Sequence, residues 1–291
     1  MAPVTKSRRG DRSYGSVRHH APAVHHSRTT ATAVESRPYR GSFDLRGMQQ
    51  LLVRNASTTE WHVGDLAWAM REHPHLELTL LVRLFFVGDE LIGWTWVRGR
   101  GLIEIELLAK YRDTVLYDAM IEAGEEIIDA MRRAGDEVGE LRARIPDDDG
   151  AMAAAFTRRG FAPTDLALQQ NQRLSHDEVP EPWALPDEWA FAAVDTDARI
   201  ACRVECHRAA FAPSILTIEA YRRARACWPY RADLDRVILD DSGAVVAACT
   251  AWLDEANGEG LLEPVATCPG QQRRGYGRAV CVDALRALRQ A

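Results

Sequence analysis

One order of elements occurs twice along this chain, and that repetition constrains its fold more than any other feature. From Leu78 the run LTLLVRLFFV, a Gly88-Asp89 turn signal and the run ELIGWTWV read as an antiparallel hairpin, and GLIEIELLA alternates as a third strand. A helix follows, because Leu116, Met120, Ala123, Ile127 and Met131 recur at helical spacing while Glu122, Glu126, Asp129 and Arg133 fall on other faces. LRARI is then a strand, DGAMAAAFTRRG a short helix stopped at Gly160, and FAPTDLALQQNQRL extended chain. Beyond a linker holding Pro180, Pro182 and Pro186 the order begins again. It runs through helices ARIACRVECHRAAF and TIEAYRRARAC, strands DRVILDD and AVVAACTAWL about a Ser242-Gly243 turn, and strand GLLEPVATC. A last helix from about Gly277 places Cys281, Ala284, Leu285 and Leu288 on one face. Trp96 and Trp252 end the corresponding hairpin strands. Strands and helices in this order predict an α/β chain (α+β, with a mixed sheet) of two domains in tandem.

The 291 residues suit two domains, and 46% hydrophobic with 27% charged residues is a globular composition. Residues 1–42 lack aliphatic periodicity and are predicted to be a disordered basic tail, whose His19, His20, His25 and His26 have no fold to arrange them. The predicted boundaries are then 43–175 for the first domain, 176–187 for the linker and 188–291 for the second. Residues 1–46 carry nine Lys/Arg against three Asp/Glu, so the net charge of −6 hides a tail near +6 and a body near −12. An acidic body argues against nucleic-acid binding, which rests on clustered cations. Lys6 and Lys110 are the only lysines, an arginine bias that reads as a GC-rich bacterial genome. The six cysteines (Cys202, Cys206, Cys227, Cys249, Cys268, Cys281) show no CxxC spacing and read as reduced cytoplasmic thiols. Cys202, Cys206 and His207 share an amphipathic helix and read as packing, so no metal is expected. Leu78–Val87 is interrupted by Arg83 and is too short to span a membrane.

Chemistry concentrates in EPVATCPGQQRRGYGRAV, a strand ended by Pro269 and a Gln/Arg/Gly loop opening into a helix. Such a loop turns several N–H groups toward one point and adds the positive end of the helix dipole, which suits a phosphate. Gly275 and Gly277 remove Cβ atoms from the approach, and Arg273, Arg274 and Arg278 add charge. A Walker loop would end Gly-Lys-Ser/Thr, which is absent. A dinucleotide fingerprint would need a small residue at Val280 and an acidic one roughly 20 positions on, past Ala291. Gln272-Arg273-Arg274-Gly275-Tyr276-Gly277 instead matches Gln/Arg-x-x-Gly-x-Gly letter for letter.

On that loop, and its strand–Pro–loop–helix context, the chain resembles the GCN5-related N-acetyltransferase (GNAT) family. The resemblance extends more weakly over the first repeat, where AAFTRRGF is similar to the family's late helix-to-strand segment, so the chain looks like a tandem member from about residue 46. It implies two acyl-CoA N-acyltransferase-like domains. The first copy would be degenerate, because no glycine lies between Leu102 and Ala123 to form the loop. The second would be incomplete, lacking the closing strands and the helix that usually carries the acidic tyrosine. An uncovered sheet edge beside GLLEPVATC would follow, which a homodimer or a partner strand could cover.

The resemblance implies acetyl-CoA as cosubstrate. Its arm would be held by Val265, Ala266 and Thr267, and its pyrophosphate by Gln272, Arg273, Arg274, Gly275, Tyr276, Gly277, Arg278 and Ala279. The acceptor would be a primary amine of a small molecule or peptide, attacking the thioester directly. Glu263, on the strand leading into the loop, is the candidate base, with Glu259 and Asp254 behind it; a surface or turn carboxylate is the plainer alternative. A main-chain N–H near Val265 or Ala266 would stabilise the oxyanion. Tyr276 lies between the two loop glycines, where side chains pack or face solvent, and is a poor replacement acid. The competing reading is a catalytically impaired acyl-CoA-binding or interaction protein on the same scaffold.

Overall fold

The computed structural model describes residues 2–6, 33–71, 73, 75–112, 115–164, 175 and 178–291. Along the chain run β1 (Ala2–Lys6), β2 (Val34–Pro38), α1 (Ser42–Arg54), α2 (Val63–Met70), α3 (His75–Leu81), β3 (Val82–Val87), β4 (Glu90–Arg98) and β5 (Leu102–Leu107). Next come α4 (Leu116–Ala134), β6 (Arg142–Ile145), α5 (Gly150–Arg158), β7 (Phe161–Pro163), β8 (Ala190–Ala193), α6 (Asp197–Ala210) and α7 (Ile218–Arg225). The last elements are β9 (Asp235–Leu239), β10 (Val245–Asp254), β11 (Glu259–Thr267) and α8 (Tyr276–Gln290).

Two compact units result, one of residues 1–39 with 79–170 and the other of 40–78 with 171–291. This differs from the expected boundaries. Residues 40–78, expected in the first unit, supply α1 and α2 to the second. The cause is apolar burial: Ala67 and Trp68 of α2 join the core formed by Val204, Tyr221, Val237 and Trp252. Gly64 lets the start of α2 lie directly on the Trp252 side chain, where any Cβ would collide.

The first unit holds a mixed seven-stranded sheet in the order β2-β3-β4-β5-β6-β1-β7. Its antiparallel hairpins run as the alternation predicts, with Trp94 opposite Glu106 and Trp96 opposite Glu104. The parallel β5–β6 pairing covers only Leu102–Ile103, so the strands part beside Glu104–Leu107. Helix α4 packs on β4 and β5, where Gly124 lies against Ile103 and the Thr95 hydroxyl donates to the Met120 carbonyl at 2.9 Å.

Two expectations about this unit change, and a third falls largely outside the described residues. Residues 2–6 and 34–38 of the expected tail are strands, β1 filling the gap between β6 and β7 and β2 pairing with β3. Five residues are too few for periodicity to show; main-chain pairing selects them. Residues 7–32, with the four tail histidines, lie outside the described residues. Leu78–Leu81, read as strand, finish α3, since a short apolar run does not distinguish helix from strand. Of the extended segment after Gly160 only Phe161–Pro163 is a described strand, and residues 165–174 are not described.

The second unit is a four-stranded antiparallel sheet ordered β11-β10-β9-β8. One face carries α2, α6 and α7 over Val237, Ala248 and Trp252; the other carries α8 over Ile238, Ala247, Cys249 and Ala251. Beneath α6 and α7 lies a buried polar network. Asp235 accepts from Thr250 Oγ1 and Tyr230 OH at 3.0 Å each and from Tyr221 OH. Arg203, fully buried, places Nε 3.6 Å from Asp235 Oδ1 and donates to Thr250 Oγ1 at 3.3 Å.

One turn along α6, His207 is buried against Trp68 and Phe211. Burial, with the Arg203 and Arg71 cations, lowers its pKa to about 3. The folded value lies below the unfolded value of about 6.5, so the unfolded chain takes up the proton first. This site therefore costs stability as pH falls from about 6.5 toward 3. Between about pH 7 and pH 5 we expect a loss of about 2 kcal/mol that His207→Phe removes. Urea unfolding of both proteins at the two pH values checks this; parallel losses would reject it.

Candidate functional site

The free side of β11 and the turn into α8 form the candidate site. β11 is an edge strand, so its outward main-chain groups have no strand partner among the described residues. Its register against β10 passes from Cys249↔Val265 to Ala251↔Leu262, setting Glu263 and Pro264 against Thr250 alone. Pro264 has no N–H to offer the ladder, so a bulge there suits it. The Trp252 indole pins the bulge by donating to the Glu263 carbonyl at 2.6 Å. The Glu263 side chain is exposed.

The other candidate carboxylates are differently engaged. Asp254 is buried and accepts from Ala256 N at 3.1 Å and Asn257 Nδ2 at 2.7 Å, holding the turn between β10 and β11. Glu259 starts β11, and its carbonyl lies 3.4 Å from His62 Nε2. His62 Nδ1 accepts the Gly64 N–H as the cap of α2, which leaves the ring proton on Nε2 facing that carbonyl. Burial lowers the His62 pKa and favours this neutral ring.

After Thr267 the chain makes a 3-10 turn at Pro269–Gln271 and enters α8. Gln272 Nε2 donates to the Thr267 carbonyl at 3.3 Å, closing the loop on the strand end. Arg273 at φ +65° and Gly275 at φ +90° are left-handed. Left-handed residues in such a turn swing successive N–H groups to one side. Gly275 is the N-cap of α8 and offers no side-chain cap. Among the described residues no acceptor meets the N–H groups of Arg273 through Arg278. Gly277 sits against the Thr267 hydroxyl, where a Cβ would stand 2.9 Å away. Ala266 and Ala279 are buried, Val265 and Thr267 half-buried, and Arg273, Arg274 and Arg278 exposed. Exposed guanidiniums around N–H groups that meet no acceptor among the described residues, at a helix start, are surroundings that favour an anion. Tyr276 packs on Trp189, ring centroids 4.9 Å apart.

The sequence reading missed Trp183 at this site. A Cβ on Gly275 would come within 2.8 Å of its indole, and the Arg278 guanidinium lies over the ring, 5.4 Å from the centroid. Only its place in a proline-rich linker was visible, and that pattern carries no address.

The fold of the chain is similar to that of solved structures. A GCN5-related N-acetyltransferase from Sphaerobacter thermophilus is similar over 88% of this chain and 83% of its own, with 16% identity and a TM-score of 0.54. A tandem GNAT protein from the clavulanic acid biosynthesis pathway is similar over 89% and 86%, with 13% identity and a TM-score of 0.51. The chain has the GNAT fold. No family profile and no curated protein matches its sequence.

The ends of β5 and β11 lead into helices through similar junctions. Leu108 N–H donates to the Ile92 carbonyl at 2.8 Å as Cys268 N–H does to Val246 at 2.9 Å. Both strand ends lead into a 3-10 turn, and Arg112 Nε donates to the Leu107 carbonyl at 3.3 Å, as Gln272 does to Thr267. Counting from these equivalents, Val115 and Tyr117 stand at the places of Gly275 and Gly277. Buried Tyr117 donates to Asp149 Oδ2 at 2.6 Å, and Arg112 Nη2 pairs with buried Glu106 at 3.2 Å. Carboxylates and a phenol thus crowd the first junction, while the second presents N–H groups and arginines. Among the described residues no group of three or more His, Cys, Asp or Glu could hold a metal ion, and no helix is long and apolar enough to cross a membrane.

Proposed function

We propose that the second unit is an N-acetyltransferase site that takes acetyl-CoA and acetylates a primary amine of a small molecule or peptide in the bacterial cytoplasm. The observation that carries this reading is the row of N–H groups from Arg273 to Arg278 that meet no acceptor among the described residues, with arginines around it and an edge strand beside it. A diphosphate fits that row, and an extended pantetheine arm fits the free edge at Val265, Ala266 and Thr267. The thioester is the chemistry acetyl-CoA supplies when bound. An attacking amine must be neutral, and Glu263, exposed at the bulge, takes its proton directly or through water. A main-chain N–H near Val265 or Ala266 steadies the charge on the acetyl oxygen. As the amide C–N bond forms the thioester C–S bond breaks, and coenzyme A leaves as a thiolate that takes a proton from water. The first unit, with Val115, Tyr117 and Glu106 at the equivalent turn, is in this reading a degenerate copy without the cosubstrate.

Turnover of acetyl-CoA against a panel of amines and peptides, beside a binding assay, tests the proposal. Glu263→Gln is expected to lower kcat about 100-fold or more while leaving coenzyme A affinity unchanged. An unchanged kcat would remove Glu263 as the base. Two observations favour an acyl-CoA binder without turnover: no described group holds the Glu263 carboxylate, and Trp183 lies on Gly275. Binding without turnover of any acceptor would select that reading.

A further inference from the structure

A cavity of about 300 Å³ lies elsewhere in the second unit, between α1, the end of α2 and the end of α7. None of its lining residues belongs to β11, the 268–278 turn or α8, so it stands apart from the turn assigned to acetyl-CoA. Three guanidinium groups line it, those of Arg46, Arg71 and Arg223, and among the described residues no carboxylate does. Leu45, Met70 and Leu78, all buried, give it an apolar floor.

The cations are held in place. Arg46 stacks on Trp228 with its guanidinium carbon 3.5 Å from the ring centroid, and Arg71 stacks on Trp68 at 3.6 Å. Arg223 Nε donates to the Arg71 carbonyl at 2.9 Å. Two acidic side chains meet lining residues from outside the cavity: Glu219, exposed on α7, pairs with Arg223 at 2.9 Å, and Glu77 pairs with His73 at 3.2 Å, while Arg46 meets no carboxylate among the described residues. Arg46 Nη1 is buried with no hydrogen-bond acceptor among the described residues. Guanidiniums fixed over aromatic rings lose little freedom on meeting a ligand, and their fork matches a carboxylate. A buried donor without an acceptor carries a desolvation cost that such a ligand relieves.

We propose that this cavity binds a small organic carboxylate with an apolar body, its oxygens on Arg46 and the neighbouring Arg71 and its body on Leu45, Met70 and Leu78, with Arg223 adding positive charge beside them. The test uses the full chain with propionate, benzoate, 3-phenylpropionate, benzyl alcohol and inorganic phosphate, read by calorimetry and by the unfolding midpoint. At least one carboxylate is expected to bind and raise the midpoint, more weakly at high salt. Benzyl alcohol and phosphate, each lacking half of the recognition, are expected to bind more weakly. Arg46→Met is expected to weaken the carboxylate about tenfold or more. Gly275→Asp is expected to leave this binding unchanged, which separates it from the acetyl-CoA site. Should Arg46→Met lose its native circular dichroism, Arg223→Met is read in its place. No binding of any carboxylate, equal binding of benzyl alcohol or phosphate, or wild-type affinity in the folded arginine variant would each overturn the proposal.

Discussion

Gly275→Asp is expected to abolish measurable coenzyme A binding, with a loss of affinity of at least about 100-fold by calorimetry. Three effects act together. Gly275 sits at φ +90°, where a side chain is strained. Its Cβ would press within 2.8 Å of the Trp183 indole. The new carboxylate would cap the start of α8 and take the N–H groups proposed for the diphosphate, and its charge would repel that group. The last effect dominates: strain costs about 1 kcal/mol, roughly a fivefold change, whereas a competing anion among the same donors removes the site. Gly275→Ala therefore separates the terms, retaining most of the binding. Unchanged affinity in the aspartate variant would reject the assignment of the loop.

Asp235→Ala is expected to lower unfolding free energy by about 3–5 kcal/mol, because it leaves Arg203 charged and fully buried without its counterion. Thr250, Tyr221 and Tyr230 lose their shared acceptor in the same change. Against a typical total of about 5–15 kcal/mol, this is enough to compromise the second unit. Replacing the pair together, Arg203→Met with Asp235→Leu, is expected to be far less damaging than either single change, since no buried charge is orphaned. Urea unfolding of the single and double variants measures this, and a loss below about 1 kcal/mol for Asp235→Ala would refute the dependence of Arg203 on it.

What the sequence disclosed was local. The 3.6-residue recurrence from Leu116 to Met131 lies within α4, and the alternation in ELIGWTWV and GLIEIELLA appears as β4 and β5. The turn after Thr267 was legible because glycine and proline restrict the backbone wherever they stand. Selection of distant partners was not. Nothing in VGDLAWAM says that its tryptophan meets Trp252 and Tyr221 rather than the sheet that follows it in sequence, since an apolar face suits either. Arg203 reads as one more charge on an amphipathic helix until Asp235 is found beneath it. At the junction equivalent to the loop, the missing glycines were visible, but the Tyr117–Asp149 hydrogen bond spans 32 positions that no spacing rule connects.

The placement of residues 40–78 also bears on how the protein is made. The chain leaves the first unit after Tyr39, returns at Thr79, and departs again after Gln170. Helices α1 and α2 emerge from the ribosome more than a hundred residues before β9, β10 and β11 exist to receive them. Trp68 and Leu66 must meanwhile remain soluble without their core, a natural point for a chaperone to act. For the same reason a protease cutting in the proline-rich segment would not release two independent halves: the fragment beginning there would leave two of its helices behind.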